Sequence, residues 1–96
     1  MLLTTNIDIM IEGTLNQDFD CITGADTIDD AIDIYTKGLT TQDRRDLEKE
    51  VLAFLSNDDS TIESEFKERY FNYFAPAEGK GLLLRVLEGI KKAEQV

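Results

Sequence analysis

Ninety-six residues with a formal net charge of −10 give one domain, 1–96, with room for a single core and little for a deep enzyme cleft. Apolar residues make up 42% and charged residues 31%, the composition of a globular chain and not of a disordered one. So acidic a chain is a poor direct ligand for nucleic acid or an anionic membrane surface, since both are polyanions.

The charge is not spread evenly. Residues 1–36 hold eight carboxylates and no Lys or Arg, whereas the other sixty residues hold twelve acids against ten bases. Such a field steers a cationic partner, and its self-repulsion works against the folded state. Cys21 is the sole cysteine, which excludes an internal disulfide and fits a reducing compartment. The start, Met1-Leu2-Leu3-Thr4-Thr5-Asn6, lacks the basic region and long apolar stretch of a signal peptide, and Val51–Leu55 is the longest apolar run. A soluble, cytoplasmic protein is expected.

Ile7, Met10, Ile11 and Leu15 predict a first helix over 5–15, capped by Thr5 or Asn6, with Asp8 and Glu12 facing away. A polar connector over 16–26 follows, with Gly24 its most permissive point. Asp26 or Thr27 caps a second helix with an apolar stripe of Ile28, Ala31, Ile32 and Tyr35. Asp29, Asp30 and Asp33 lie opposite, and Gly38 reads as a left-handed stop. Asp29 and Asp33 stand four apart and repel, which a helix selected only for stability avoids.

Thr40 or Thr41 caps a third helix reaching Leu55, with Leu47, Val51, Phe54 and Leu55 buried. Its surface alternates in sign, Arg44 with Glu48 and Arg45 near Asp46, as a solvated face does. After the Asn57-Asp58-Asp59 turn, Ser60-Thr61-Ile62-Glu63 has the capping-box pattern. The fourth helix turns Ile62, Phe66 and Tyr70 inward and ends at Ala75-Pro76. Gly79 and Gly81 mark a loop before a last helix over 82–93 that buries Leu83, Val86, Leu87 and Ile90. With no sustained period of two, the pattern predicts an all-α fold, a compact bundle of four to five short helices.

Asn16-Gln17-Asp18-Phe19-Asp20, Thr27-Ile28-Asp29-Asp30-Ala31-Ile32, the aromatic stretch ending in Phe74-Ala75-Pro76, and the terminal helix together resemble a known family. It is the small all-helical immunity-protein family of contact-dependent growth inhibition (CDI) systems, and the likeness spans roughly residues 8 to 92. Leu15 stands where the family commonly has an aromatic, Asn16 where it has His, and the last helix has no Trp. The resemblance implies a cytosolic antidote that binds the C-terminal domain of a cognate toxin and blocks it. Many such toxins are nucleases, so a basic nuclease domain is the expected partner.

A nuclease groove is lined with Lys and Arg to hold phosphates, and carboxylates at helical spacing can occupy that field. The candidate toxin-binding residues are Asp18, Asp20, Asp26, Asp29, Asp30 and Asp33, with Tyr73 as an exposed aromatic anchor. The same acids can be read as solubilising residues and caps, Asp26 most readily. Tyr35 and Tyr70 can equally finish core stripes. Asp18-x-Asp20-x-x-x-Gly24 fails as a calcium loop, having Ile22 at the fifth position, Thr23 at the sixth and Asp29 at the twelfth. Cys21 has no His to pair with and reads as inert packing. No His means no ready general base, so no enzyme, catalytic residue or cofactor is expected. The alternative function is a small acidic carrier protein with a prosthetic group on Ser60, although Thr61 stands where carriers have an apolar residue.

Overall fold

The computed structural model describes residues 3–15 and 19–95, so Asn16, Gln17 and Asp18 lie outside the described residues. Within them the chain forms α1 (Thr5–Gly13), α2 (Phe19–Thr23), α3 (Ile28–Gly38), α4 (Thr41–Leu55), α5 (Asp59–Tyr70) and α6 (Gly79–Glu94), with a 3-10 turn at Pro76–Glu78. Five of these are the expected helices. The sixth, α2, is one turn of helix inside the stretch expected to be a connector. No strand occurs among the described residues, and the Cα radius of gyration of 12.5 Å is what a compact chain of this length should have.

The apolar stripes do what their spacing predicts. Ile7, Met10 and Ile11 of α1, Ala31 and Ile32 of α3, Leu47, Val51 and Phe54 of α4, and Ile62, Phe66 and Tyr70 of α5 enter one core. Leu82, Leu83, Val86 and Ile90 of α6 complete it. The helix α6 crosses α3 closely because Gly89 has no side chain. A Cβ there would stand 3.1 Å from both Ile32 Cγ2 and Thr36 Oγ1.

Two caps form as expected: Thr27 Oγ1 accepts from Asp30 N–H and Thr40 Oγ1 from Asp43 N–H, each at 3.1 Å. Elsewhere the helix ends differ from expectation. Neither Thr5 nor Asn6 caps α1, and Thr4, in the cap position, makes no side-chain cap bond. The buried Glu50 of α4 serves instead: its Oε1 accepts from Asn6 N–H at 2.8 Å and Ile7 N–H at 3.2 Å, and its Oε2 also accepts from Asn6 Nδ2. A carboxylate thus sits on the positive end of α1 and takes up donors that the helix cannot satisfy itself.

Gly38 is not a left-handed stop. The chain leaves α3 through an extended Leu39, and Arg44 of α4 donates to Thr36 O at 3.1 Å, putting a cation on the helix's negative end. Arg44 is therefore not part of a merely solvated face. Gly24 is the left-handed glycine among the described residues, at φ 77°.

The cap of α5 is Asp58, whose Oδ1 accepts from Thr61 N–H at 2.9 Å, so the helix starts earlier than the capping-box reading placed it. Ser60 lies exposed inside the first turn. Five cap-competent residues stand in a row here, Asn57, Asp58, Asp59, Ser60 and Thr61, and Asp58, one of the two anionic ones, takes the helix end. Gly79 and Gly81 likewise belong to the first turn of α6 and not to a loop. Gly79 is there for close packing: a Cβ would fall 2.6 Å from Phe66 Cγ.

Asp8 does not face away from the molecule. Tyr70 Oη donates to its Oδ1 at 2.6 Å, and Thr4 Oγ1 donates to its Oδ2 at 3.4 Å. This bond fastens α1 to α5 and completes the buried tyrosine, whose hydroxyl is pushed well above the usual tyrosine range by burial and by the adjacent carboxylate.

Candidate functional site

α3 offers one face to the core and the opposite arc to solvent, and the cap at Thr27 fixes the phase that puts Asp29, Asp30 and Asp33 on that outer arc. α2 packs against α3, so Asp20 on α2, Asp26 in the link and the α3 acids are carried on adjoining elements. Asp20, Asp26, Asp29 and Asp30 are exposed, and Asp33 is half-buried.

Their electrostatic situations differ. Arg85 of α6 lies over α3, its Nε donating to Asp29 Oδ1 at 3.1 Å and its Nη2 to Asp33 Oδ1 at 2.9 Å. One guanidinium therefore bridges the two carboxylates whose spacing alone spells repulsion. Asp29 keeps a side chain 72% exposed, so this bridge contributes little to stability; its main effect is to halve the charge on that stretch. Asp20 accepts from Cys21 N–H at 2.9 Å. Asp26 and Asp30 have no side-chain partner among the described residues, and of the set they are the free anions. Asp18 lies outside the described residues.

Sequence reasoning missed Arg85, which sits among the leucines of α6. The local signal was a cation interrupting an apolar segment, but its acidic partners are 52 and 56 residues away. Two apolar residues of the same surface also escaped notice: Ile22 of α2 and Ile34 of α3 are 50% and 46% exposed beside the acids.

The aromatic residues divide clearly. Tyr70 is core, while Tyr35 and Tyr73 are half-buried and packed on the core's edge. Tyr73 is thus no freestanding anchor; among the described residues the aromatic with most surface open is Phe71, at 67%. Burial, then the nearby Asp43, raises the Tyr35 hydroxyl above its ordinary range. Cys21 is exposed and not inert packing, because the short α2 presents it to solvent.

Where the start of α6 passes α3, a groove of about 340 Å³ opens between Ile28 and Ile32 on one side and Phe74 and Leu82 on the other. Asp29, Glu78 and Arg85 border it. Among the described residues no group of three or more His, Cys, Asp or Glu side chains is arranged to hold a metal ion, and no helix is long and apolar enough to cross a membrane.

Compared with known proteins, residues 4–88 match the model of the family described as CdiI immunity protein. No curated protein and no solved structure matches the chain.

Proposed function

This chain belongs to the CdiI immunity protein family, and from that premise we propose that it neutralises its cognate CDI toxin by laying an acidic surface over the toxin's basic active-site region. The observation that carries this reading is the separation of charge: eight carboxylates and no base in residues 1–36. Its folded counterpart supports it, because Asp20, Asp26, Asp29 and Asp30 stay exposed on α2, α3 and their link. Asp18, Asp33 and the half-buried Tyr73 are the further toxin contacts of this reading.

The toxin active site that such a surface fits is one built to hold phosphates with Lys and Arg, that of a nuclease. Inhibition is stoichiometric and needs no catalysis. The carboxylates raise the association rate and, once water is expelled, pair with the cations that would otherwise hold substrate. Ile22 and Ile34 add the apolar contact that a purely charged surface lacks. An interface of ordinary size buries about 1,600 Å² in total.

The structure also selects the informative substitutions. Asp29→Lys and Asp33→Lys would set new cations against Arg85 and disturb the α3–α6 contact, so the free anions are better probes. Asp26→Lys together with Asp30→Lys should slow association with the toxin domain encoded beside this gene by about tenfold or more at low salt, with the effect shrinking as salt rises. The same double variant should protect a susceptible bacterium less well. An unchanged association rate at low salt would refute the acidic-surface mechanism.

A further inference from the structure

The groove between α3 and the start of α6 is open to solvent although its walls, Ile28, Ile32, Phe74 and Leu82, are apolar. Gly81 lines it too, and this glycine is not demanded by the chain's own packing. A Cβ at Gly81 would meet nothing within 4 Å, whereas one at Gly79 would strike the Phe66 ring. Glycine is disfavoured in a helix, so a glycine inside α6 with free space above it keeps the groove clear without serving the fold.

The border of the groove selects what enters. Asp29 and Glu78 are exposed there, and Glu78 uses one oxygen to accept from Ala75 N–H at 3.2 Å. Among the described residues the one cation at the border is Arg85, already bonded to Asp29 and Asp33. Two carboxylates, Asp29 and Glu78, thus stand at the border against one guanidinium that Asp33 also shares, and the surroundings of the apolar walls remain net negative. A second copy of this chain would bring the same acids and a further charge of −10, so it is the wrong occupant.

We propose that this groove receives a large apolar side chain of the toxin domain, carried beside a Lys or Arg that meets Asp29 and Glu78 at the border. This rests on the reading above that the partner is a basic toxin, and it names the anchor that the acidic surface lacks. Charges set how fast the two proteins meet; a desolvated anchor seated in a pocket sets how slowly they part.

Gly81→Leu tests it, since a Cβ at this position meets nothing within 4 Å and the rest of the added side chain fills the groove. With the toxin domain encoded beside this gene as the probe, the expected result is an unchanged or raised Tm. Association should be little altered, and dissociation at least about tenfold faster. Gly81→Ala should shift dissociation in the same direction by less, and it serves if the leucine variant folds poorly. Unchanged dissociation in a folded Gly81 variant, with association still slowed by Asp26→Lys plus Asp30→Lys, would overturn the groove and leave the acidic surface standing. No change in either variant would overturn both. A homodimer in sedimentation that Gly81→Leu abolishes would also overturn the proposal, by giving the groove to a second copy.

Discussion

Replacing Glu50 by alanine should destabilise the protein by about 3 kcal/mol while leaving every apolar contact of the core in place. The carboxylate is 5% exposed and accepts from two backbone N–H groups at the start of α1, with Asn6 Nδ2 as a third donor. Hydrogen bonds to a charged group contribute roughly 1.5–3 kcal/mol each, and a buried donor left unsatisfied costs about 1–3 kcal/mol. The favourable interaction with the helix dipole adds to these. Against them stands the relief of no longer burying a charge, and Asn6 is open enough for water to reach part of the site. For two backbone donors the balance is about 3 kcal/mol, a loss of roughly 15 °C in Tm for a chain of this size. Glu50→Gln keeps one acceptor oxygen but no charge, and should cost about half as much. Urea unfolding followed by circular dichroism measures both, with the midpoint falling and the slope constant. Amide exchange should show the loss of protection concentrated at Ile7 and the rest of the first turn of α1. An alanine variant within about 0.5 kcal/mol of the parent, or a glutamine variant as damaged as the alanine one, would refute the assignment of Glu50 as the cap of α1.

Tyr70→Phe should cost roughly 1–2 kcal/mol near pH 7, by removing the bond to Asp8. The folded-state pKa of Tyr70 is raised above the ordinary 10.0, so its contribution is fully present below that value and lost as pH rises beyond it. The stability gap between the parent and Tyr70→Phe should therefore narrow above about pH 10 in denaturation curves; a gap that widens would contradict the geometry. Asp58→Ala should lower Tm at neutral pH whereas Ser60→Ala should leave it unchanged, since Asp58 caps α5. Its bonds with Thr61 hold the Asp58 carboxyl below the ordinary 3.8, so the difference between Asp58→Ala and the parent should fade as pH falls below that value. A Ser60→Ala loss equal to that of Asp58→Ala would restore the capping-box assignment.

The sequence by itself determined the features that a single turn or stripe decides. The apolar spacing of Ile28, Ala31 and Ile32 and the caps at Thr27 and Thr40 rest on interactions within a few residues. Such interactions are the same whatever the helix later packs against. The motif over residues 27–32 that resembles the immunity family lies on one of these local elements, which is why the family was legible before the structure. So was the charge asymmetry, a matter of counting.

What became of each charge was another matter. Glu50 as the cap of α1, Arg44 on the end of α3, Asp8 under Tyr70 and Arg85 bridging Asp29 and Asp33 are pairings between helices. In sequence each of these side chains looks like part of a solvated helix face or a break in an apolar one. Only the turn from α3 into α4 and the crossings of α1 with α4, of α1 with α5, and of α3 with α6 bring their partners within reach. The packing of α6 against α5 and α3 decides which glycine admits a neighbouring ring and which leaves a groove open. Helical periodicity fixes the direction in which a side chain leaves its own axis; the identity of the group it meets is set by the packing of axes that lie dozens of residues apart.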